Sequence, residues 1–191
     1  MRTTTQVMIA TAAQQWIRAQ PWVQSLRWPV PIAALIEKAG MRVRWLPNAP
    51  AGFHGATMPG KKTAYDVWVN PHDPSPVQRF TLAHEFAHVL SHHLDYATPP
   101  WWFETEANAI AAELLLPWHE LAVFQPAEPF TSPAAVETWM AATGGTILKR
   151  AGVSSSALAY HLHDLGWFTT TASTPTTKIS ESPQLRFPIL Q

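Results

Sequence analysis

The 191-residue chain carries 13 basic and 13 acidic side chains, no net charge and no cysteine. That balance argues against strong electrostatic capture of nucleic acid or an anionic membrane, and the missing cysteine excludes a disulfide framework, a thiol nucleophile and a Cys-ligated metal. The chain is 47% hydrophobic and only 14% charged, against a usual charged share of about 25%, so it can build a real core, and any metal it holds must sit on His, Asp or Glu.

The opening stretch MRTTTQVMIATAAQQW has one early Arg and an apolar run of only Val7 to Ala13. It predicts a helix over 4–19, closed by Pro21, rather than a signal peptide. No segment approaches the ~20 apolar residues of a membrane span, so the expected compartment is the cytoplasm. PIAALIEKAG predicts a helix that Pro31 starts and Gly40 stops. Three strands are expected next. MRVRWLP alternates Met41, Val43 and Trp45 against Arg42 and Arg44; GFHGATM follows with a glycine irregularity; TAYDVWVN sets Tyr65, Val67 and Val69 on one face. NPHDPSP breaks the chain before RFTLAHEFAHVLSHH, a helix crowded with histidine. After LDYATPP, the segment WWFETEANAIAAELLLP predicts a strong helix ended by Pro117. Short helices are expected at 117–124 and 133–142, and TILKRAGVSSSALAYHLHDLG reads helix, turn, helix. From Thr169 the chain is rich in Thr, Ser and Pro, an expected disordered tail. Helices, a small sheet, then helices make an α+β fold. The expected organisation is one domain over 1–168, with a C-terminal helical subregion at about 131–168, and a tail at 169–191.

The histidine helix carries the chemistry. On a wheel at about 100° per residue, Thr81, His84, Glu85, His88 and His92 form one stripe within about 100°. Leu82, Ala83, Phe86, Ala87, Val89 and Leu90 fill much of the remaining circle. A helix so apolar is mostly buried, and its polar stripe needs partners there. His84 and His88, one turn apart, can converge on a single zinc ion. Glu85 can then reach a water that the metal acidifies and take its proton during attack on a carbonyl. Such a site needs a third protein ligand. His92 lies roughly 12 Å along the axis from His84, too far for one ion; His92 and His93 are expected at the helix end, where cations suit the dipole. In the next helix Glu104 borders the buried face, with Asn108 one turn on as a hydrogen-bonding support. Glu106 and Glu113 fall about 180–200° away, on an expected solvated face. The expected site is therefore His84, His88 and Glu104 as ligands of one Zn2+ per chain, with Glu85 as catalytic base; His2Glu ligation favours zinc.

At these residues, VNPHDPSPVQRFTLAHEFAHVL followed by FETEANAIAAELLLP, the chain resembles the ImmA/IrrE metallopeptidases. Upstream, GMRVRWLPNAPAGFHGAT is similar to that family's strand pair, and AGVSSSALAYHLHDLG to its closing helices. Leu116 stands where the family commonly has Met. The likeness covers roughly residues 30 to 167. It implies a zincin-like, gluzincin-type endopeptidase with the same ligands and base. It further implies a protein substrate, typically a helix-turn-helix repressor in a phage, mobile-element or stress-response switch.

The rival reading is a DNA-binding or protein-interaction regulator with a merely structural metal. Between residues 145 and 166 only Lys149 and Arg150 are basic, against Asp164, which predicts weak phosphate binding. Intact Glu85 also favours hydrolysis, because a structural zinc needs no base beside it. Two further features stay open. His161, His163 or Tyr160 could stabilise an oxyanion or simply cap the fold. The strand TAYDVWVN could receive an extended peptide at a sheet edge, with Trp101, Trp102 and Phe103 lining its pocket or packing in the core.

Overall fold

The computed structural model describes residues 3–168, so the expected tail at 169–191 lies outside the described residues. The first helix, α1 (Thr4–Arg18), starts at a reciprocal cap: Thr3 Oγ1 accepts from the Gln6 amide, and the Gln6 side chain accepts from the Thr3 amide. Helix α2 (Ile32–Lys38) ends where Gly40 takes φ 80°, a left-handed turn that glycine adopts without a Cβ penalty.

Strands β1 (Arg42–Trp45), β2 (Gly55–Pro59) and β3 (Tyr65–Val69) form one sheet in the order β1-β3-β2. β1 runs parallel to β3, and β2 antiparallel to it. The strand pair expected over residues 40–57 is therefore not a pair: β3 lies between its two members. Val67 and Val69 are fully buried, and the strand most apolar on its inner face takes the position where both edges are bonded. The same order corrects the expected peptide-receiving strand. β3 is central, and β2 is an edge.

Helix α3 (Ser75–Leu90) crosses the inner face of the sheet, and helix α4 (Phe103–Leu115) packs along it. α1 covers a second side of α4, and helix α8 (Ser155–Asp164) adds to that cover. Ala107, Ile110, Ala111, Leu114 and Leu115 are all at 0% exposure. This enclosure overturns the solvated face expected for Glu113. Glu113 is 1% exposed; its carboxylate accepts from Arg18 Nη2 at 2.7 Å and from the Trp118 amide at 2.8 Å. The wheel had allowed α4 one covered side, and it has several.

Helix α5 (Trp118–Leu121) and a 3-10 turn at Ala122–Phe124 follow. Helix α6 (Pro133–Trp139) does not stop near 142. It continues through a π turn, Met140–Gly144, into α7 (Gly145–Ala151). Gly144 is buried against the Met140 side chain, where a Cβ would come within 2.9 Å of Sδ. α7 then turns at Gly152, φ 67°, into α8, which Ser154 caps. The helix-turn-helix spacing is real, but its basic pair is depleted: Arg150 lies 3.6 Å from Glu120 and over the Trp28 ring. Among the described residues no helix is long and apolar enough to cross a membrane.

Candidate metal centre

α3 supplies two histidines and α4 one carboxylate, and the packing of these helices brings them together. His84 Nε2 lies 3.0 Å from His88 Nε2 and 3.3 Å from Glu104 Oε2, and His88 Nε2 lies 3.5 Å from Glu104 Oε1. Among the described residues this is the group of His, Asp and Glu arranged to hold a metal ion.

The hydrogen bonds on the far side of each ring say what faces the centre. His84 Nδ1 lies 3.0 Å from Asn108 Oδ1, which can only accept, so the proton sits on Nδ1 and Nε2 carries a lone pair. His88 Nδ1 lies 2.9 Å from His93 Nδ1, and His93 Nε2 lies 3.1 Å from Glu106 Oε2. An ionised carboxylate only accepts, so His93 Nε2 donates; His93 Nδ1 then accepts, and His88 Nδ1 donates. His88 Nε2 is thus also a lone pair aimed inward. Two imidazole lone pairs at 3.0 Å, with a carboxylate beside them, repel unless a positive charge lies between them.

A tetrahedral zinc with bonds of about 2.0–2.1 Å separates its ligands by roughly 3.3 Å. The observed separations of 3.0, 3.3 and 3.5 Å bracket that spacing. The donor set therefore fits a divalent cation. Glu104 keeps over half of its side-chain surface exposed, so the centre opens to solvent on the α4 side. The electrostatics favour positive charge at this point. Burial pushes His84 down, but the Glu104 hydrogen bond and the charges of Glu85 and Glu104 raise it above its ordinary value. Burial, then repulsion from His84, pushes His88 down to about 3 although Glu104 opposes this. Glu104 is lowered, first by the His84 hydrogen bond.

Glu85 points to the sheet side of the same helix. Burial pushes its carboxyl up, and the His84 charge and the Thr57 hydrogen bond only partly restrain it. Thr57 of β2 donates to Glu85 Oε2 at 2.8 Å. Strand and helix come this close because residue 55 is glycine. A Cβ there would collide with the Thr81 methyl and lie 2.8 Å from the Trp68 carbonyl oxygen.

Several expected positions change. His93 does not sit at the helix end in solvent. His92 takes the left-handed region at φ 56°, staying exposed beside Asp95, and this turn sends His93 inward to 4% exposure. Its ring stacks on Phe103 at 3.8 Å between centroids. Glu106, expected on a solvated face, is the acceptor for His93. No periodic pattern could reveal this pair, because His93 lies beyond the end of α3 at Leu90 and the wheel of α4 cannot show what meets Glu106. Thr57 was missed because its contact crosses from sheet to helix. Phe103 is core packing, whereas Trp101, just before α4 in the chain, is 61% exposed. His161 is no oxyanion donor. It is fully buried near the other end of α4, where its Nε2 lies 3.1 Å from the Leu116 carbonyl.

A solved structure of a Mycobacterium tuberculosis transcriptional regulator aligns with a TM-score of 0.48 at 16% identity; the alignment covers 84% of this chain and 47% of that one. The chain thus spans about half the length of that regulator. No curated protein sequence matches it. The model of the IrrE N-terminal-like domain, Peptidase_M78, matches residues 36–163, a span that takes in the sheet, α3, α4 and nearly all of α8. On that match the chain belongs to this metallopeptidase family.

Proposed function

We propose that the chain is a zinc-dependent endopeptidase, with His84, His88 and Glu104 as ligands and Glu85 as base, and that its substrate is a helix-turn-helix transcriptional repressor. The observation that carries the reading is the donor set itself: two inward lone pairs and a carboxylate at tetrahedral spacing, with a buried carboxylate on the next residue. Zinc at that position would polarise a peptide carbonyl and acidify water. The residues of the chain do the rest. Burial makes Glu85 a stronger base than a solvated carboxylate. Thr57 engages Oε2 and leaves Oε1 to take a proton.

Strand β2 passes directly beside Glu85 and is an edge of the sheet. An extended substrate segment can add to that edge through main-chain hydrogen bonds. Trp101, exposed just before α4 in the chain, offers an apolar surface to a substrate side chain. A folded repressor must expose such a segment as a loop or linker.

Co-expression with candidate helix-turn-helix repressors tests the proposal. The wild-type chain should yield discrete repressor fragments, and Glu85→Gln should leave the repressor whole while still binding zinc. Cleavage by Glu85→Gln would remove the assigned base. Intact repressors in every pairing, inducing signals included, would remove the assigned substrate.

A further inference from the structure

Beyond the ligands and base lies a second layer whose hydrogen bonds have only one consistent direction. The chain of contacts runs His88 Nδ1 to His93 Nδ1 at 2.9 Å, then His93 Nε2 to Glu106 Oε2 at 3.1 Å. It starts at an acceptor-only carboxylate and ends at the inward lone pair of His88. His84 is held differently, by the neutral amide of Asn108. The two histidines of the centre are therefore supported unequally: one by an amide, the other by an imidazole backed by a negative charge.

The architecture around His93 is built to keep it there. The left-handed residue His92 turns the chain inward. Phe103 stacks on one face of the His93 ring, and Trp102 meets it edge-on at 6.3 Å between centroids. Phe103 and Trp102 directly precede Glu104, so the same turn that seats His93 also places the carboxylate of the centre. Glu106, two residues further, closes the chain of hydrogen bonds from α4 back to the end of α3.

We propose that His93 and Glu106 are positioning residues that fix the tautomer of His88, aim its Nε2 at the metal and raise its strength as a donor. The inference rests on the metal-centre reading above. Neither residue touches metal or substrate in this role. Outer partners of metal-bound histidines are typically worth about 10–100-fold in metal affinity.

Zinc competition against a chromophoric chelator tests this on the full chain, with melting of the zinc-free protein measured alongside. His93→Phe keeps a ring to stack on Phe103 but removes the acceptor for His88 Nδ1. It should weaken zinc binding roughly tenfold or more with little change in zinc-free melting. His93→Asn restores an acceptor near the Nδ1 position and should recover most of the affinity, although it cannot reach Glu106. Glu106→Gln removes the charge that orders the chain and should weaken zinc severalfold. With Co2+ in place of Zn2+, the visible absorption bands should shift in His93→Phe and return toward wild type in His93→Asn.

Two results overturn the inference and leave the metal centre standing: wild-type affinity in both His93→Phe and Glu106→Gln while Glu104→Ala loses zinc, or equal loss in His93→Phe and His93→Asn with a matching drop in zinc-free melting. A wild-type chain that binds no zinc overturns the metal reading and this inference with it.

Discussion

Gly55 of β2 rests directly against Thr81 of α3, one turn before His84. This is the approach that lets Thr57 reach Glu85. Any Cβ at residue 55 meets the Thr81 methyl and the Trp68 carbonyl, and the latter is backbone that cannot swing away. Gly55→Ala should cost about 1–3 kcal/mol, the usual range for overpacking. Thr81→Ser in the same chain removes the methyl and should recover part of the loss. Denaturant unfolding of the single and double variants checks this; an unchanged midpoint in Gly55→Ala would show that the strand can retreat without strain.

The ligand assignment predicts a graded metal series. Glu104→Ala removes a direct donor and should weaken zinc by more than the roughly 10–100-fold expected of outer partners. Glu106→Ala should lie within that range. Elemental analysis after dialysis against a weak chelator should find close to one zinc per wild-type chain and almost none in Glu104→Ala. Retention by Glu104→Ala equal to that of Glu106→Ala would remove Glu104 from the ligand set.

Glu113 predicts a stability effect far from any chemistry. Its carboxylate holds Arg18 of α1 and the first amide of α5 in a place shut off from water. Glu113→Leu should destabilise by about 2–3 kcal/mol through the stranded donors. The loss falls at or below the low end of the ~3–5 kcal/mol usual for a broken buried pair, because Arg18 keeps about a quarter of its side-chain surface in solvent. Urea unfolding measures it, and a neutral result would mean that Arg18 and the Trp118 amide find new partners.

His161 predicts the acid limb of stability. Burial holds it below its ordinary value of 6.5, against Glu113 from α4 and Asp164 on its own helix, with Arg18 of α1 assisting. Leu116 accepts from Nε2 at 3.1 Å, which leaves Nδ1 to receive Gln14 of α1 at 3.4 Å, so the neutral ring is fully bonded. The unfolded chain therefore takes up this proton first. Its contribution is complete above about pH 6.5 and is lost as pH falls through 6.5 toward the lowered folded value. His161→Gln cannot titrate, so its melting temperature should fall less steeply than wild type between about pH 7 and 5. Parallel curves would assign the acid sensitivity elsewhere.

Features that depend on short range and period were legible before any packing was known. Spacing of four placed His84 and His88 on one face of a helix, and a polar stripe on an apolar helix required partners for both. Alternation marked β1 and β3, and Pro and Gly marked most helix ends. Glu104 was legible because it borders the apolar arc of α4, and the structure brings it within 3.5 Å of both histidines. What the sequence could not hold was which other surfaces meet. Glu113 read as solvated because a wheel cannot count how many neighbours enclose a helix. β3 lies between β1 and β2 because burial on its inner face outweighs chain order. His93 and Glu106 join only after a left-handed turn at His92, beyond the last residue to which helical periodicity applies. Thr57 reaches Glu85 only because a missing side chain at residue 55 lets the sheet close on α3. Periodicity encodes which face of an element is buried; the partner on that face is settled by packing between segments remote in the chain, where a single Cβ or one backbone dihedral decides the contact.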